Sequence, residues 1–527
     1  MNRLFDLGWF GRTLCALLAS GLVLATAHAS AQVDMTLPQP GDAVGRSFDE
    51  LLTDFVRNAP EIVRGRLTVE QSRSQVDASL ALLEYVLTTR LNSTRAEQPT
   101  NDGLSSGLST TERTQLGADL VRRFRPGTQV QLTLDNSVTS SAFPFSSPAG
   151  TQIIERGPNF ESSLTLSANQ PLLEGFGERI YMLPMMQAQR RLEAAELQVV
   201  QQASARLLEL VTGAVELRYS MQELEVRHRS LQRTLEQLTI GQAELQAGRI
   251  AAIELDLLRQ RAAANQEAIL VAWASAQART LTLATVVGSN PGSSDVWNLE
   301  PPAVQLPTEI PNALCAAANE FSPDVAALRA QVESARVETV RANDALRPSL
   351  DLNAGLTQRG LESNVPGAFG QLFRFEATTI FGGLVFTLPL GNRQARDAAN
   401  QARLAVEQAE YEVVEAGRQL CVQVHEIAAN LQLLNSRSAL AAYRVDIASR
   451  SMMAEQARFA QGLSTVQNGL QALEDLETVE LETLRLQTDV ELGRWRLAHL
   501  SGQLMARWLP EYQQWLADPD ATSVSDE

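Results

Sequence analysis

Phe48–Arg90 reads FDELLTDFVRNAPEIVRGRLTVEQSRSQVDASLALLEYVLTTR, and Asn312–Ala354 reads NALCAAANEFSPDVAALRAQVESARVETVRANDALRPSLDLNA. The two stretches align through a Pro-acid step, Pro60-Glu61 on Pro323-Asp324, at an offset of 263 residues (60 to 323). Each copy predicts a short helix and then a longer one after its proline, because proline is tolerated in the first turn of a helix but not in its interior. Each then changes period, from apolar residues every three or four positions to every second one, which is helix giving way to strand. Each runs through a Pro-Leu stop into a helical segment too long for a globular core. The duplicated unit is a set of strand hairpins plus overlong helices, which suits a tube better than a catalytic pocket.

In the first copy, Tyr85–Glu97, Thr114–Phe124, Gln129–Ser140 and Glu161–Asn169 alternate as strands, with a turn at Arg125-Pro-Gly-Thr128. The Gly, Ser and Thr of Asn101–Thr111 and the three prolines and two glycines of Ala142–Asn159 predict exposed loops. Gln170-Pro171-Leu172-Leu173 ends the strands. Glu178–Ala247 has no proline after Pro184 and predicts one helix of about 100 Å, at ~1.5 Å per residue. Gly248 interrupts it, Ile250–Val287 returns, and Gly288–Pro311 is a linker rich in Gly, Pro and Ser. The second copy repeats the order: strand Leu350–Gln358, loop Gly360–Gly370, strand Leu372–Leu388, stop Pro389-Leu390-Gly391, helix Asn392–Ala460, break at Gly462 and return helix Ser464–Trp508. Within Asn392–Ala460 an apolar seam steps mostly by threes and fours, with one break, from Val406 through Val413, Leu420, Val424, Leu431 and Leu434 to Met452, which is a coiled-coil register. The expected organisation is a leader (1–31), a first repeat (32–288), a linker (289–311), a second repeat (312–509) and an acidic tail (510–527).

The leader expectation rests on Arg3 and Arg12 ahead of an apolar run Leu14–Ala25, followed by small residues Ala27, Ala29 and Ala31, the pattern of a secretory signal. Leu14 before Cys15 is too large for a lipoprotein cleavage box, so no acylation is expected there. After residue 31 no stretch is apolar for long enough to cross a bilayer as a helix, so any membrane crossing falls to strands closed into a barrel. Net charge is −17, which excludes a basic nucleic-acid footprint. The chain contains no Lys, which excludes a P-loop Lys and a Lys Schiff base. His228, His425 and His499 are isolated on helical stretches, and no metal-spaced Cys/His cluster or nucleophile elbow occurs. The expectation is a non-enzyme with no cofactor, metal or nucleic-acid partner. Two cysteines remain beyond the leader, Cys315 and Cys421. In an oxidising compartment they are either a disulfide or two separate small apolar residues.

The strand segments alternate apolar residues with Thr, Ser, Asn, Gln and Arg, so one face suits lipid and the other an aqueous lumen. Each half supplies too few strands to close a barrel, so closure requires several chains around an axis. Aromatic residues make up 5% of the chain, too few for large compact cores, while Ala, Leu, Gln, Glu and Arg abound.

The tandem repeat, the Pro-acid steps, the Pro-Leu strand ends and two glycine-marked turns, Ala247-Gly248-Arg249-Ile250 and Gln461-Gly462-Leu463-Ser464, together resemble the TolC family of outer-membrane efflux proteins over essentially all of the chain after the leader. The resemblance implies a mainly α fold with a β-barrel part: a homotrimer whose strands form one barrel in outer-membrane lipid, with four strands per chain, and whose helices form a tunnel through the periplasm. It implies a channel exporting solutes or proteins in tripartite efflux or type I secretion, with a periplasmic adaptor protein and an inner-membrane pump (RND, ABC or similar). The adaptor-docking tips are then Gly248, Arg249 and Ile250, and Gly462, Leu463 and Ser464. The periplasmic gate candidates are Asn468 and Gln471, where the family's best-known member carries acids, with Glu474 and Asp475 just beyond. These two carboxylates either face the lumen or lie on a solvated outer face. The extra alternating pair Thr114–Ser140 either adds barrel strands or forms a separate hairpin. The competing reading is a periplasmic coiled-coil scaffold without a pore.

Overall fold

The computed structural model describes residues 36–101, 106–147, 150–290, 295–302 and 311–504. The expected leader and acidic tail lie outside the described residues. In chain order the elements are β1 (Val44–Gly45), α1 (Phe48–Asn58), α2 (Pro60–Leu80), β2 (Tyr85–Asn101), β3 (Ser106–Arg123), β4 (Gln129–Ser147), β5 (Gly150–Pro171), α3 (Glu178–Tyr181), α4 (Leu183–Gln246) and α5 (Ala252–Val287). They continue as β6 (Trp297–Asn298), α6 (Pro311–Phe321), α7 (Pro323–Asp344), β7 (Ser349–Glu362), α8 (Val365–Gln371), β8 (Thr378–Thr387), α9 (Arg393–Ala460) and α10 (Val466–Leu500). α4 has 64 residues and α9 has 68, so each is about 100 Å long at ~1.5 Å per residue.

The two repeats are built alike at their Pro-acid steps. α1 breaks from α2 at buried Ala59, and α6 breaks from α7 at buried Ser322, each with proline in the first turn of the new helix. Glycines ending the return helices pack against these breaks. A Cβ on Gly288 would lie 2.3 Å from the Asn58 carbonyl oxygen, and one on Gly502 would lie 2.4 Å from the Phe321 carbonyl oxygen. Both glycines have positive φ, +76° and +72°, where a side chain is also disfavoured. Each return helix is thereby clamped to the kink of its own repeat.

α4 is the central helix. Leu207, Leu210, Leu217 and Leu224 on it are fully buried, in a core shared with α1, α2, α5 and Trp495 of α10. A second core joins α6, α7, α9 and α10 through Leu314, Val325, Leu420, Val424, Leu431, Leu486 and Leu497. His499 bonds through Nδ1 to Ser204 Oγ at 2.9 Å, and burial pushes its imidazole below the ordinary histidine value, favouring the neutral ring. Cys315 and Cys421 are joined in a disulfide with Cα atoms 5.0 Å apart, so α6 is stapled to α9 across a separation of 106 residues.

Six strands form one antiparallel sheet in the order β2-β3-β4-β5-β7-β8. The expected loops Asn101–Thr111 and Ala142–Asn159 are corrected: β3 begins at Ser106, β4 continues to Ser147 and β5 starts at Gly150. The small polar residues there take part in the ladder, which needs backbone groups and not apolar side chains. Opposite Pro158 the register shifts between Thr139 and Ser141, a bulge that absorbs the missing proline N–H. The expected loop Gly360–Gly370 is also corrected, since β7 runs to Glu362 and α8 follows, capped by Asn364 accepting from the Gly367 N–H at 2.8 Å.

The sheet is inverted relative to a water-soluble one. Registered pairing places Leu87, Leu120, Leu132, Leu166, Leu356 and Ile380 in one row across all six strands. All but Leu356 of this row are exposed, Leu87 at 66% and Ile380 at 79%. The opposite face carries Arg90, Asp119, Gln131, Thr133 and Asp135. Asp119 is only 7% exposed; it accepts from Thr133 Oγ1 at 2.7 Å and pairs with Arg90, which also reaches Asp135 at 2.8 Å. Arg90 crosses over Gly117, where a Cβ would lie 2.8 Å from its Nε. β8 alone is apolar on both faces, with Phe381 lying over Gly355 on the inner side.

The clamps give a direct test. Gly288→Ala and Gly502→Ala each lower stability by about 1–3 kcal/mol through overpacking against a carbonyl, whereas Gly41→Ala, which meets open space, changes the thermal midpoint little. Equal midpoints for all three variants would remove the clamps from the account.

Candidate functional site

The ends of the two helical hairpins lie side by side. Both turns close in the same way. The Gly248 N–H donates to the Leu245 carbonyl and the Arg249 N–H to the Glu244 carbonyl, both at 2.9 Å. The Gly462 N–H donates to the Phe459 carbonyl and the Leu463 N–H to the Arg458 carbonyl, again both at 2.9 Å. This is the double helix-ending bond pattern that requires a left-handed residue after the last turn. Gly248 and Gly462 supply it, with φ of +71° and +70°. The next helices start on opposite logic: Glu254 accepts from the Ala251 N–H at 3.0 Å, and Thr465 Oγ1 accepts from the Asn468 N–H at 3.3 Å.

Contact between the tips is apolar within and polar at the rim. Leu255, Leu258, Phe459 and Val466 form a buried cluster, with Leu245, Ile250 and Leu470 packed against it. Ile250 therefore turns into the shared core. A Cβ on Gly462 would lie 4.0 Å from Arg249 Cδ, so the two glycine turns face each other. Arg249 folds back onto buried Glu244, with Nη2 2.6 Å from Oε1. That hydrogen bond holds the Glu244 carboxyl below its usual range. Ser464 bonds to Glu455, and Asn468 Nδ2 donates to Ser464 Oγ at 3.4 Å. The rim leaves Leu463 and Ile253 standing out, 66% and 68% exposed. Ile253, in the first turn of α5, is not among the tip residues expected from the sequence.

The gate candidates fall on the first three turns of α10 and are all exposed. At ~100° per residue, Asn468, Gln471 and Asp475 share one stripe, and Gln471 Nε2 donates to Asp475 Oδ1 at 2.9 Å. Glu474 points away from this stripe, with its carboxylate 3.8 Å from Arg261 of α5. Further round the helix, Glu477 is buried. It accepts from Ser230 Oγ at 2.7 Å, from Arg227 at 2.5 Å and from Arg261 at 3.2 Å. One turn on, Arg233 grips Glu480 with two bonds of 3.0 and 3.1 Å. α10 is thus held to α4 and α5 by polar contacts just above the tips. The partners of Glu477 and Glu480 come from distant helices, so local sequence does not reveal them.

α9 has a second apolar side. Leu404, Tyr411, Val422, Leu433, Leu440 and Ile447 are exposed. Their spacings of seven and eleven put them within about 40° of one line at ~100° per residue, opposite the buried Leu420, Val424 and Leu431. The expected seam is thus the inner side of a helix that is apolar on both sides. Among the described residues no helix is long and apolar enough to cross a membrane, and no His, Cys, Asp and Glu group has metal-binding spacing.

Residues 314–503 match the family model for outer membrane efflux proteins. No curated protein sequence matches the chain significantly. Among solved structures, VceC of Vibrio cholerae superposes with a TM-score of 0.63 at 17% identity, over 86% of this chain and 95% of that one. The CmeC channel of Campylobacter jejuni gives 0.62 at 13% identity, covering 89% of both chains. The open state of the MtrE channel of Neisseria gonorrhoeae gives 0.56 at 15%, over 86% of this chain and 89% of that one. Residues 314–503 thus match the outer membrane efflux protein family by sequence, and the described chain as a whole has the fold of these solved channels.

Proposed function

We propose that three copies of this chain form an outer-membrane channel-tunnel. It carries solutes or proteins from the periplasm and an inner-membrane pump (RND, ABC or similar) to the exterior, in tripartite efflux or type I secretion. The observation that carries this reading is the inverted sheet, leucine outward and carboxylate inward, on a chain with two helices about 100 Å long. Exposed leucines such as Leu87, at 66%, are stable against lipid and unfavourable against water. A periplasmic scaffold has no use for that face.

Trimer formation is supported by α9. Its exposed stripe runs the length of the helix and faces away from the core of its own chain, so a neighbouring copy is the partner that buries it. Around the axis so formed, Asn468, Gln471 and Asp475 become the ring at the narrow end, while Glu474 stays paired to Arg261 within its chain. The tips then present Arg249, Leu463 and Ile253 to a helical adaptor from the periplasm, with Gly248, Gly462 and Ser464 shaping the turns and Ile250 supporting them from within.

Three outcomes test the reading. The double variant Leu433→Glu/Leu440→Glu abolishes the heat-resistant trimer on gels of outer-membrane fractions while leaving folded monomer; an undiminished trimer would place the subunit contact elsewhere. Gly248→Val or Gly462→Val forces a branched side chain into the left-handed region, at about 1–2 kcal/mol. Such variants form trimers yet lose dye efflux from cells that supply the pump, and normal efflux by both would sink the docking role. In planar bilayers, Asn468→Asp/Gln471→Asp raises cation over anion permeability, as rings of carboxylates do; an unchanged reversal potential removes these residues from the pore.

A further inference from the structure

The sheet has more strands than the family resemblance implies, and the surplus is built as wall. The resemblance gives four strands per chain; the structure has six in one continuous order. The surplus hairpin is β3–β4. Two features could have set it apart from a membrane wall: a break in pairing with its neighbours, or a loss of the apolar-outward alternation. Neither occurs. β3 pairs with β2 along its whole length from Ser106 to Arg122, and β4 pairs with β5 from Gln129 to Ser147 with a single register shift. Leu116, Leu120 and Leu132 are exposed on the face that also carries Leu87 of β2 and Leu166 of β5. On the other face the Arg90 guanidinium spans from β2 across Gly117 of β3 to Asp135 of β4, so the polar interior is wired through the surplus strands. The same inversion that marks the other strands as wall marks these two.

Two edges remain. Among the described residues β2 pairs on one side only, with β3, and β8 on one side only, with β7. An open edge leaves a row of backbone N–H and C=O groups unpaired, which hydrocarbon does not tolerate. Both edges carry exposed apolar residues, Leu87 and Leu91 on β2 and Ile380 and Leu384 on β8. The sheet is open at both ends with alternating strand direction from first to last. β2 and β8 run in opposite directions, so each copy's β8 meets the next copy's β2 as an antiparallel pair.

We infer that, in the trimer proposed above, the wall is an eighteen-stranded barrel, six strands from each copy, closed by β8 of one copy on β2 of the next. This rests on the three-copy reading. At a strand spacing of ~4.8 Å and a tilt of ~40° such a wall is about 36 Å across between backbones, against about 24 Å for twelve strands. The outlet is therefore roughly 1.5-fold wider, and cargo size is limited at the helical tips instead of in the membrane wall.

Cysteine crosslinking in the intact chain tests the seam, since Cys315 and Cys421 are already joined to each other. Ile380→Cys, Gly382→Cys or Leu384→Cys on β8 is combined either with Thr89→Cys or Leu91→Cys on β2, or with Leu132→Cys or Leu134→Cys on β4. The expected result is oxidant-dependent covalent trimers from a β8–β2 pair and none from any β8–β4 pair. Links from β8 to β4 in a stable trimer would leave β2 and β3 out of the wall and overturn the wider barrel with the three-copy reading intact; a twelve-strand wall that omits β3–β4 also joins β8 to β2, and that case is decided by the strand count. Stable trimers with neither link would overturn the β8–β2 seam. Absence of trimers from every variant and from the unsubstituted chain would sink the three-copy reading, and the barrel with it. Electron cryo-microscopy of the unsubstituted trimer counts the strands without substitutions, with eighteen expected and twelve overturning.

Discussion

A backbone amide or carbonyl in hydrocarbon must find a partner within protein, and the proposed membrane wall turns on that requirement. Six strands with leucine outside and an Arg90–Asp119–Asp135 cluster inside satisfy each other laterally but leave β2 and β8 open. One copy is therefore incomplete as a wall. The helical part is incomplete in the same sense, because α9 buries Leu420, Val424 and Leu431 within its own chain and leaves Leu404, Leu433, Leu440 and Ile447 uncovered on the opposite side. In the proposed trimer, neighbouring copies around an axis cover both the strand edges and the helix stripe.

The helices divide two tasks. α4, with α1, α2 and α5 around it, forms the apolar body, and glycine clamps at Gly288 and Gly502 fix where each return helix ends. Toward the tips, apolar packing thins to Leu255, Leu258, Phe459 and Val466, and charged contacts take over between α10 and its neighbours. Buried Glu477 is bonded by Ser230, Arg227 and Arg261, and Arg233 holds Glu480. A polar contact of this kind is strong only when every partner is in place. Position of α10 is therefore set discretely, and the stripe of Asn468, Gln471 and Asp475 is carried on a helix whose rotation these bonds determine.

Much of this was legible in the residues. Pro60 and Pro323 marked helix starts, and Gly248 and Gly462 marked the turns, because proline and glycine act through local backbone geometry that no distant contact alters. The loops expected at Asn101–Thr111 and Ala142–Asn159 were read from Gly, Ser, Thr and Pro content, yet strands occupy most of both. A barrel strand that continues past the apolar band keeps its ladder with no need of an apolar face, so composition is silent there. Ile250, grouped from sequence with the docking residues, turns inward because the second tip lies beside it. Asp475 and Glu474, adjacent in the chain, part company for the same kind of reason: Arg261 on another helix captures one of them.

The sequence by itself determined the repeat, the order of strands and overlong helices, and the two left-handed turns, since period and backbone preference are local quantities. Only the tertiary structure decided that β3 and β4 are part of one six-stranded sheet, that Cys315 meets Cys421, that Glu477 is buried among arginines, and that α9 is apolar on two opposite sides of which one is left bare. These depend on which surfaces meet, and residues far apart in the chain, such as Arg227 and Glu477, acquire their roles when packing brings them within hydrogen-bond reach.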